Sequence, residues 1–131
     1  MEEIDKKLVE AATAVRENAY APFSNFRVGS ALLTDDGQII AGSNVESASY
    51  GLTVCAERIA IFKALSEGER DFSAVAVITD SDILTPPCGA CRQIIWEFCG
   101  DVPVTLSNLK GQSETHQMRE LFPKPFDSSN F

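Results

Sequence analysis

Two short cysteine motifs constrain the fold of this chain more than any other feature of its sequence. The first is Cys55-Ala56-Glu57 and the second is Pro87-Cys88-Gly89-Ala90-Cys91. A structural zinc site is closed by four protein ligands, whereas a hydrolytic zinc keeps one position open for water and needs a nearby base to move protons. Three cysteines and a glutamate fit the second pattern better, so the fold must bring the two motifs together around one metal ion.

Hydrophobic periodicity predicts an α/β arrangement in which helices alternate with short strands. An antiparallel hairpin is expected where Asp35-Asp36-Gly37 joins two β-prone runs. We predict helices over 2–20, 55–66, 88–98 and 118–121, and strands over 27–34, 38–45, 73–79, 102–107 and 112–115.

The connection to the last predicted strand is the four-residue turn Asn108-Leu109-Lys110-Gly111. A parallel neighbour requires a helical crossover, for which this turn is too short. The last strand should therefore run antiparallel to the strand before it.

The cysteines fall at predicted helix starts, where unpaired N–H groups lower thiol pKa values and stabilise thiolates. Cys88 and Cys91 open one helix and Cys55 opens another. Three thiolates make a bound zinc a weaker acid, so a positive group should offset their charge. Arg58 is the first candidate and Arg92 the second. Glu57 is the expected general acid/base.

Composition excludes some classes of partner. The chain has 131 residues and a net charge of −8, and its 11 lysine and arginine residues are scattered. A protein that binds nucleic acid needs a clustered positive surface, so we do not expect this chain to bind DNA or RNA. No apolar run approaches the ~20 residues that span a bilayer, and the first residues are acidic. We expect a single catalytic domain over 1–131 that is soluble, cytoplasmic and free of membrane contacts, with reduced cysteines.

Four segments, taken in order, resemble one enzyme family. The zinc deaminases carry an H-x-E…P-C-x-x-C signature. This chain has Cys55 in place of the histidine, as in the short, homotetrameric, three-cysteine cytidine deaminases. The segments that carry the resemblance are Tyr-Ala-Pro-Phe-Ser-Asn-Phe-Arg-Val-Gly from Tyr20 to Gly29, Asn44-Val45-Glu46, Cys55-Ala56-Glu57-Arg58 and Pro87-Cys88-Gly89-Ala90-Cys91-Arg92-Gln93.

The resemblance implies a three-layer α/β/α cytidine deaminase-like fold, with a five-stranded mixed sheet and helices on both faces. It also implies deamination of cytidine and deoxycytidine in pyrimidine salvage, and the short turn before the last strand favours a free-nucleoside substrate. One Zn²⁺ per chain would be held by Cys55, Cys88 and Cys91, with Glu57 as the proton shuttle. Substrate contacts are implied for Phe26, Asn44, Glu46 and Ala56 and, from a neighbouring subunit of a homotetramer, for Ala48, Tyr50 and Phe126.

Other interpretations remain open at this point. The chain could deaminate a related aminopyrimidine compound such as a blasticidin-type nucleoside. It could instead be a non-catalytic structural zinc module, for which Cys99 is the spare thiol that could serve as a fourth ligand. Cys88-Gly89-Ala90-Cys91 could also be a redox pair, although it lacks the usual aromatic lead-in.

Overall fold

Five strands form one mixed sheet, and four α-helices lie against it in the computed structural model, which describes residues 1–131. Short 3₁₀ turns occupy Tyr50–Leu52 and Ser128–Asn130. The strands are β1 Val28–Thr34, β2 Ile39–Ser43, β3 Phe72–Thr79, β4 Pro103–Asn108 and β5 Ser113–Gln117. The helices are α1 Glu3–Arg16, α2 Ala56–Ser66, α3 Gly89–Cys99 and α4 Met118–Leu121.

The strand order across the sheet is β2-β1-β3-β4-β5. Only β3 and β4 are parallel, and α3 lies in the connection between them. The other neighbours are antiparallel, including the last pair, β4 and β5. The predicted mixed sheet, hairpin and antiparallel last strand are therefore confirmed.

Helices cover both faces of the sheet, which confirms the three-layer α/β/α prediction. On one face, Leu8 and Ala12 of α1 pack against small residues of β1 and β3 such as Ala76. On the other face, α2, α3 and α4 pack against the remaining buried side chains of the sheet, with Ile61 and Ile95 at the centre. The alternation of side chains along β3 supplies apolar groups to both layers, as expected of a strand buried on both sides.

The first helix is shorter than predicted. It ends at Arg16, although the apolar pattern continued to residue 20. The reason is tertiary: the Tyr20 N–H donates to the Asn44 carbonyl, and the Tyr20 carbonyl accepts from the Glu46 N–H. These two bonds require extended backbone at Tyr20 and override the local helical preference. The second strand likewise ends at Ser43, two residues before the predicted Val45, which instead bridges Tyr20 and Val54.

The sheet and two helix starts position one cavity. Thr79 at the carboxyl end of β3 and Cys55 and Cys88 at the starts of α2 and α3 all line it. Carboxyl ends of parallel strands are the usual ligand-binding edge of an α/β sheet. None of the helices has the length and apolar character that a membrane span requires.

Candidate active site

Three cysteine sulfurs converge between the starts of α2 and α3. Cys55 and Cys88 are the N-cap residues of these helices, and Cys91 lies in the first turn of α3. All three sulfurs lie within 4.8 Å of one another, and Cys55 Sγ is 3.7 Å from Cys88 Sγ. A tetrahedral zinc with Zn–S bonds of about 2.3 Å requires sulfur–sulfur distances of about 3.8 Å. The three sulfurs therefore fit zinc as an open, three-ligand site.

The electrostatics of this group favour a thiolate at Cys55. The Cys91 thiol, acting on Cys55 with a smaller contribution from Arg58, lowers the pKa of Cys55 to about 5. The same interaction raises the pKa of Cys91. One Nη of Arg58 lies 3.6 Å from Cys55 Sγ, and its Nε is buried without a hydrogen-bond partner. The guanidinium is thus held against the sulfurs, where it offsets their negative charge.

Arg92, the second candidate for this charge-offsetting role, points elsewhere. Its Nε donates to the Pro87 carbonyl at 2.8 Å and one Nη donates to the Leu121 carbonyl at 2.6 Å. It therefore ties the loop before α3 to the end of α4. Cys99 is a free thiol outside the three-sulfur group, and burial raises its pKa to about 12. A structural module with Cys99 as the fourth ligand is not supported by this arrangement.

Glu57 follows Cys55 by two residues and lies in the first turn of α2. It is only 4% exposed and lines the same cavity as Cys55 and Cys88. Burial raises the pKa of its carboxyl to about 7. Glu57 is thus a buried carboxyl beside three sulfurs that would leave one position of a tetrahedral metal open. General acid/base catalysis on a metal-activated water requires this arrangement.

The cavity above the cysteines encloses about 170 Å³. It reaches from the sulfurs and Glu57 out to a rim formed by the loop before β1. Its 14 lining residues include no lysine or arginine: Ser24, Phe26, Val28, Asn44, Glu46, Thr53, Cys55, Ala56, Glu57, Val77, Thr79, Thr85, Pro86 and Cys88. The walls are therefore apolar or neutral and polar, apart from the two carboxylates and the cysteine sulfurs.

Glu46 is held at this rim by three donors. Its Oε1 accepts hydrogen bonds from the backbone N–H groups of Phe23 and Ser24 at 2.9 and 3.1 Å. Its Oε2 accepts from the Ser24 hydroxyl. The Ser24 hydroxyl bond is the largest cause of a lowered Glu46 pKa. The carboxylate is therefore ionised near neutral pH and fixed in orientation before any ligand arrives.

Asn44 and Phe26 belong to the same network. The Asn44 amide donates to the Phe26 carbonyl at 2.8 Å and accepts from the Val28 N–H at 2.9 Å. The Phe26 N–H donates to the Ser24 hydroxyl at 3.0 Å. The backbone of Phe26 is thus anchored on both sides, and its ring, 40% exposed, lines the cavity. An amide and an oriented carboxylate beside an aromatic wall suit a ligand with a flat ring and hydroxyl groups.

The three residues expected to serve a neighbouring subunit all lie at the surface. Ala48 is exposed, and Tyr50 is 75% exposed. Tyr50 borders an outer hollow together with Phe23 and Glu46, next to the main cavity. Phe126 is 60% exposed and does not line the cavity of its own chain. Their role across an interface stays a prediction.

Comparison with known proteins gives a consistent result. Residues 2–106 match the family described as the cytidine and deoxycytidylate deaminase zinc-binding region. A cytidine deaminase from Halalkalibacterium halodurans is 51% identical over 124 residues, which are 94% of each chain. This chain belongs to the cytidine deaminase family.

Two further relatives extend the comparison. The crystal structure of a cytidine deaminase from Burkholderia pseudomallei superposes with a TM-score of 0.91, at 46% identity, over 96% of this chain and all of that one. A blasticidin-S deaminase from Bacillus cereus is 34% identical over 91% of this chain and 89% of its own. The fold predicted from resemblance is thereby confirmed, and zinc is the cofactor of the domain, with the three-sulfur group placed for it.

Sequence reasoning missed several residues of the deaminase cavity. Ser24 was part of a matching segment, but its hydroxyl contact with Glu46 joins residues 22 positions apart and has no local signal. Thr79 and Thr85, whose hydroxyls are 3.4 Å apart, were also missed. Thr79 could have been found, because it ends a buried strand at the sheet edge where ligands usually bind.

Proposed function

We propose that this deaminase hydrolyses cytidine and deoxycytidine to uridine and deoxyuridine. Water adds at C4 of the cytosine ring, the bond from C4 to the exocyclic nitrogen breaks, and ammonia leaves. The observation that carries the proposal is the buried Glu57 beside three convergent sulfurs at the floor of a cavity. No fourth protein ligand joins the sulfurs, which leaves room for water.

Cys55, Cys88 and Cys91 would hold the zinc, which when bound would supply the Lewis acidity that makes water nucleophilic near neutral pH. Glu57 accepts a proton from the attacking water at its carboxylate and delivers it to the ring nitrogen, where it stays. It then takes the second proton from the hydroxyl on C4 and delivers it to the amine, which leaves as ammonia while C4 becomes a carbonyl. Burial keeps bulk water from competing for that proton. Arg58 holds its charge against Cys55 and keeps the sulfurs from making the metal too electron-rich.

The nucleoside is positioned by the network around Phe26. The Phe26 ring stacks on the pyrimidine, and the backbone of Ala56 contacts the edge of the base. Glu46 accepts hydrogen bonds from ribose hydroxyls, and the Asn44 amide, whose second N–H and second lone pair are uncommitted, completes their recognition. Because both side chains are already fixed by backbone contacts, little entropy is lost when they bind the sugar.

The charge of the cavity argues for a free nucleoside. A 5′-phosphate or a polynucleotide needs cationic partners, and the cavity has no lysine or arginine among its lining residues. Ionised Glu46 and the net charge of −8 would repel both. We therefore propose that deoxycytidine monophosphate, DNA and RNA are poor substrates.

The cavity of a single chain is small for a whole nucleoside. Its 170 Å³ falls below the ~300–1,000 Å³ of typical small-molecule sites. We propose that a homotetramer completes it, with Ala48, Tyr50 and Phe126 contributed by a neighbour. The exposure of these residues at the surface supports this assignment. We further propose one catalytic domain over 1–131 that acts in cytoplasmic pyrimidine salvage, where free thiols such as these stay reduced.

The second candidate is a deaminase of a blasticidin-type nucleoside, which the relative from Bacillus cereus keeps open. An aminopyrimidine compound without a ribose diol would lose its partners at Glu46 and Asn44, so these are the lining residues that would discriminate. These two side chains suit a diol, which favours the plain nucleoside.

The proposal is tested by following ultraviolet absorbance of cytidine, deoxycytidine, deoxycytidine monophosphate and blasticidin S with the zinc-loaded protein. Cytidine and deoxycytidine should be consumed with the highest kcat/KM. Preferred turnover of blasticidin S would transfer the function to the second candidate, and preferred turnover of the monophosphate would refute the electrostatic argument. Absence of zinc from the purified protein would overturn the whole assignment.

A further inference from the structure

The C-terminal segment is anchored to α3 at three successive points. One Nη of Arg92 donates to the Leu121 carbonyl at 2.6 Å. Farther along, Gln93 Nε2 donates to the Phe126 carbonyl at 2.8 Å. Trp96 Nε1 donates to Asp127 Oδ2 at 2.9 Å. The segment from α4 to residue 127 therefore follows the outer surface of the helix that begins with the metal-binding cysteines.

The last of these anchors is itself organised. The Asp127 carboxylate also accepts from the N–H of Ser129 at 2.9 Å, and the Asp127 N–H donates to the Asn130 side chain at 2.9 Å. Together these bonds close the 3₁₀ turn Ser128–Asn130. Asp127 thus joins Trp96 to the final turn of the chain.

This anchoring fixes an aromatic side chain that has no site within its own chain. Phe126 is 60% exposed and contacts the 91%-exposed Phe131, with ring centroids 5.9 Å apart. The backbone at Phe126 is held at two adjacent residues, because Gln93 donates to the Phe126 carbonyl and Trp96 donates to the Asp127 carboxylate. Its position is therefore tied to α3 and, through the first turn of that helix, to Cys88 and Cys91.

We propose that Trp96, Gln93 and Asp127 are positioning residues that hold Phe126 against the substrate pocket of a second copy of this chain. The proposal rests on the function proposed above and adds residues that contact neither substrate nor metal. An unanchored tail would place Phe126 correctly only part of the time, and substrate affinity falls by that fraction. The effect should appear in KM more than in kcat, since Glu57 and the sulfurs are untouched.

The test uses Trp96→Phe, which keeps an aromatic ring but removes the N–H donor. Loss of one hydrogen bond to the Asp127 carboxylate, which lies at the surface and keeps its bond from the Ser129 N–H, should raise KM for cytidine roughly three- to tenfold. Zinc content should stay at the wild-type level, and kcat should change by less than about twofold because no reacting group moves. Asp82→Ala, which removes an exposed carboxylate paired with Lys110, is the matched control and should leave KM unchanged.

A double-mutant cycle separates positioning from general stability. If Trp96 acts through Phe126, Trp96→Phe should have no further effect on KM in a Phe126→Ala background. An unchanged KM in Trp96→Phe alone would overturn the proposal. The same KM increase in both backgrounds would also overturn it.

A second readout does not depend on turnover. Trp96 is the only tryptophan, so its fluorescence reports the contact with Asp127 directly. Asp127→Ala should shift Trp96 emission to longer wavelength and speed chymotrypsin cleavage after Phe126. Unchanged emission and cleavage would refute the anchoring itself. If the wild-type protein fails to deaminate cytidine while this readout responds, the proposed function fails and the anchoring does not.

Discussion

Removing the Ser24 hydroxyl is the most specific test of the hydrogen-bond network that joins Ser24, Glu46 and Phe26. The hydroxyl donates to Glu46 Oε2 and accepts from the Phe26 N–H. Ser24→Ala therefore removes one bond from the carboxylate proposed to bind the ribose diol and one from the backbone of the residue proposed to stack on the base. Glu46 keeps two backbone donors on Oε1 and should stay near its present position. Glu57 and the cysteines are unaffected by the substitution.

The expected magnitude follows from the remaining contacts. A hydrogen bond to a charged group contributes a factor of roughly ten to a hundred in an equilibrium. Glu46 lies at the rim rather than in the interior and retains two donors, so the lower end applies. We expect KM for cytidine to rise about tenfold with kcat reduced much less.

The assay compares two substrates. In the proposed binding mode, cytidine presents both ribose hydroxyls to Glu46, whereas 2′,3′-dideoxycytidine has neither hydroxyl. The KM increase caused by Ser24→Ala should therefore be smaller for the dideoxy compound. Ser66→Ala, an exposed serine on α2, serves as the control and should match the wild type. An equal KM increase for both substrates would refute the claim that Ser24 acts through Glu46. A loss confined to kcat would refute it as well.

Two further predictions concern packing and the spare thiol. A Cβ at Gly29 would lie 1.9 Å from the Ala12 carbonyl oxygen, so Gly29→Ala must push α1 away from the sheet and should lower Tm by about 5 °C or more. Gly51 has open space around it, so Gly51→Ala is the control and should leave Tm unchanged. Equal Tm values for the two variants by calorimetry would contradict this prediction. Burial raises the pKa of the Cys99 thiol to about 12, so little thiolate is present at pH 8 and Cys99 should resist thiol reagents there. Cys99→Ser should keep its zinc by metal analysis.

The parts of the site that follow from local sequence were predictable. Cys55, Glu57, Cys88 and Cys91 occupy helix starts, and the side-chain spacing within a first turn is set by the helix itself. The two motifs lie together as predicted, because α2 and α3 both begin near the carboxyl end of the buried strand β3. The turn at Asn108 likewise determined the direction of the last strand by its length alone.

The contacts that tertiary structure creates were not predictable from one sequence. Tyr20 forms the backbone hydrogen bonds that end α1, and the Ser24 hydroxyl donates to Glu46. Both sets of bonds join segments more than 20 residues apart and follow no periodic pattern. The contact between Trp96 and Asp127 is of the same kind, since 31 residues separate them. Such contacts depend on how the helices and loops pack against the sheet, and no local sequence pattern indicates that packing.

The central claim is that Glu57 moves protons beside a three-cysteine zinc. The most direct measurement is deamination of cytidine by Glu57→Gln, together with its zinc content. The variant preserves the size of the side chain but cannot exchange a proton. It should retain about one zinc per chain while kcat falls by roughly 10²- to 10⁴-fold, the usual contribution of a general acid/base. Wild-type turnover in a zinc-loaded Glu57→Gln protein would contradict the account.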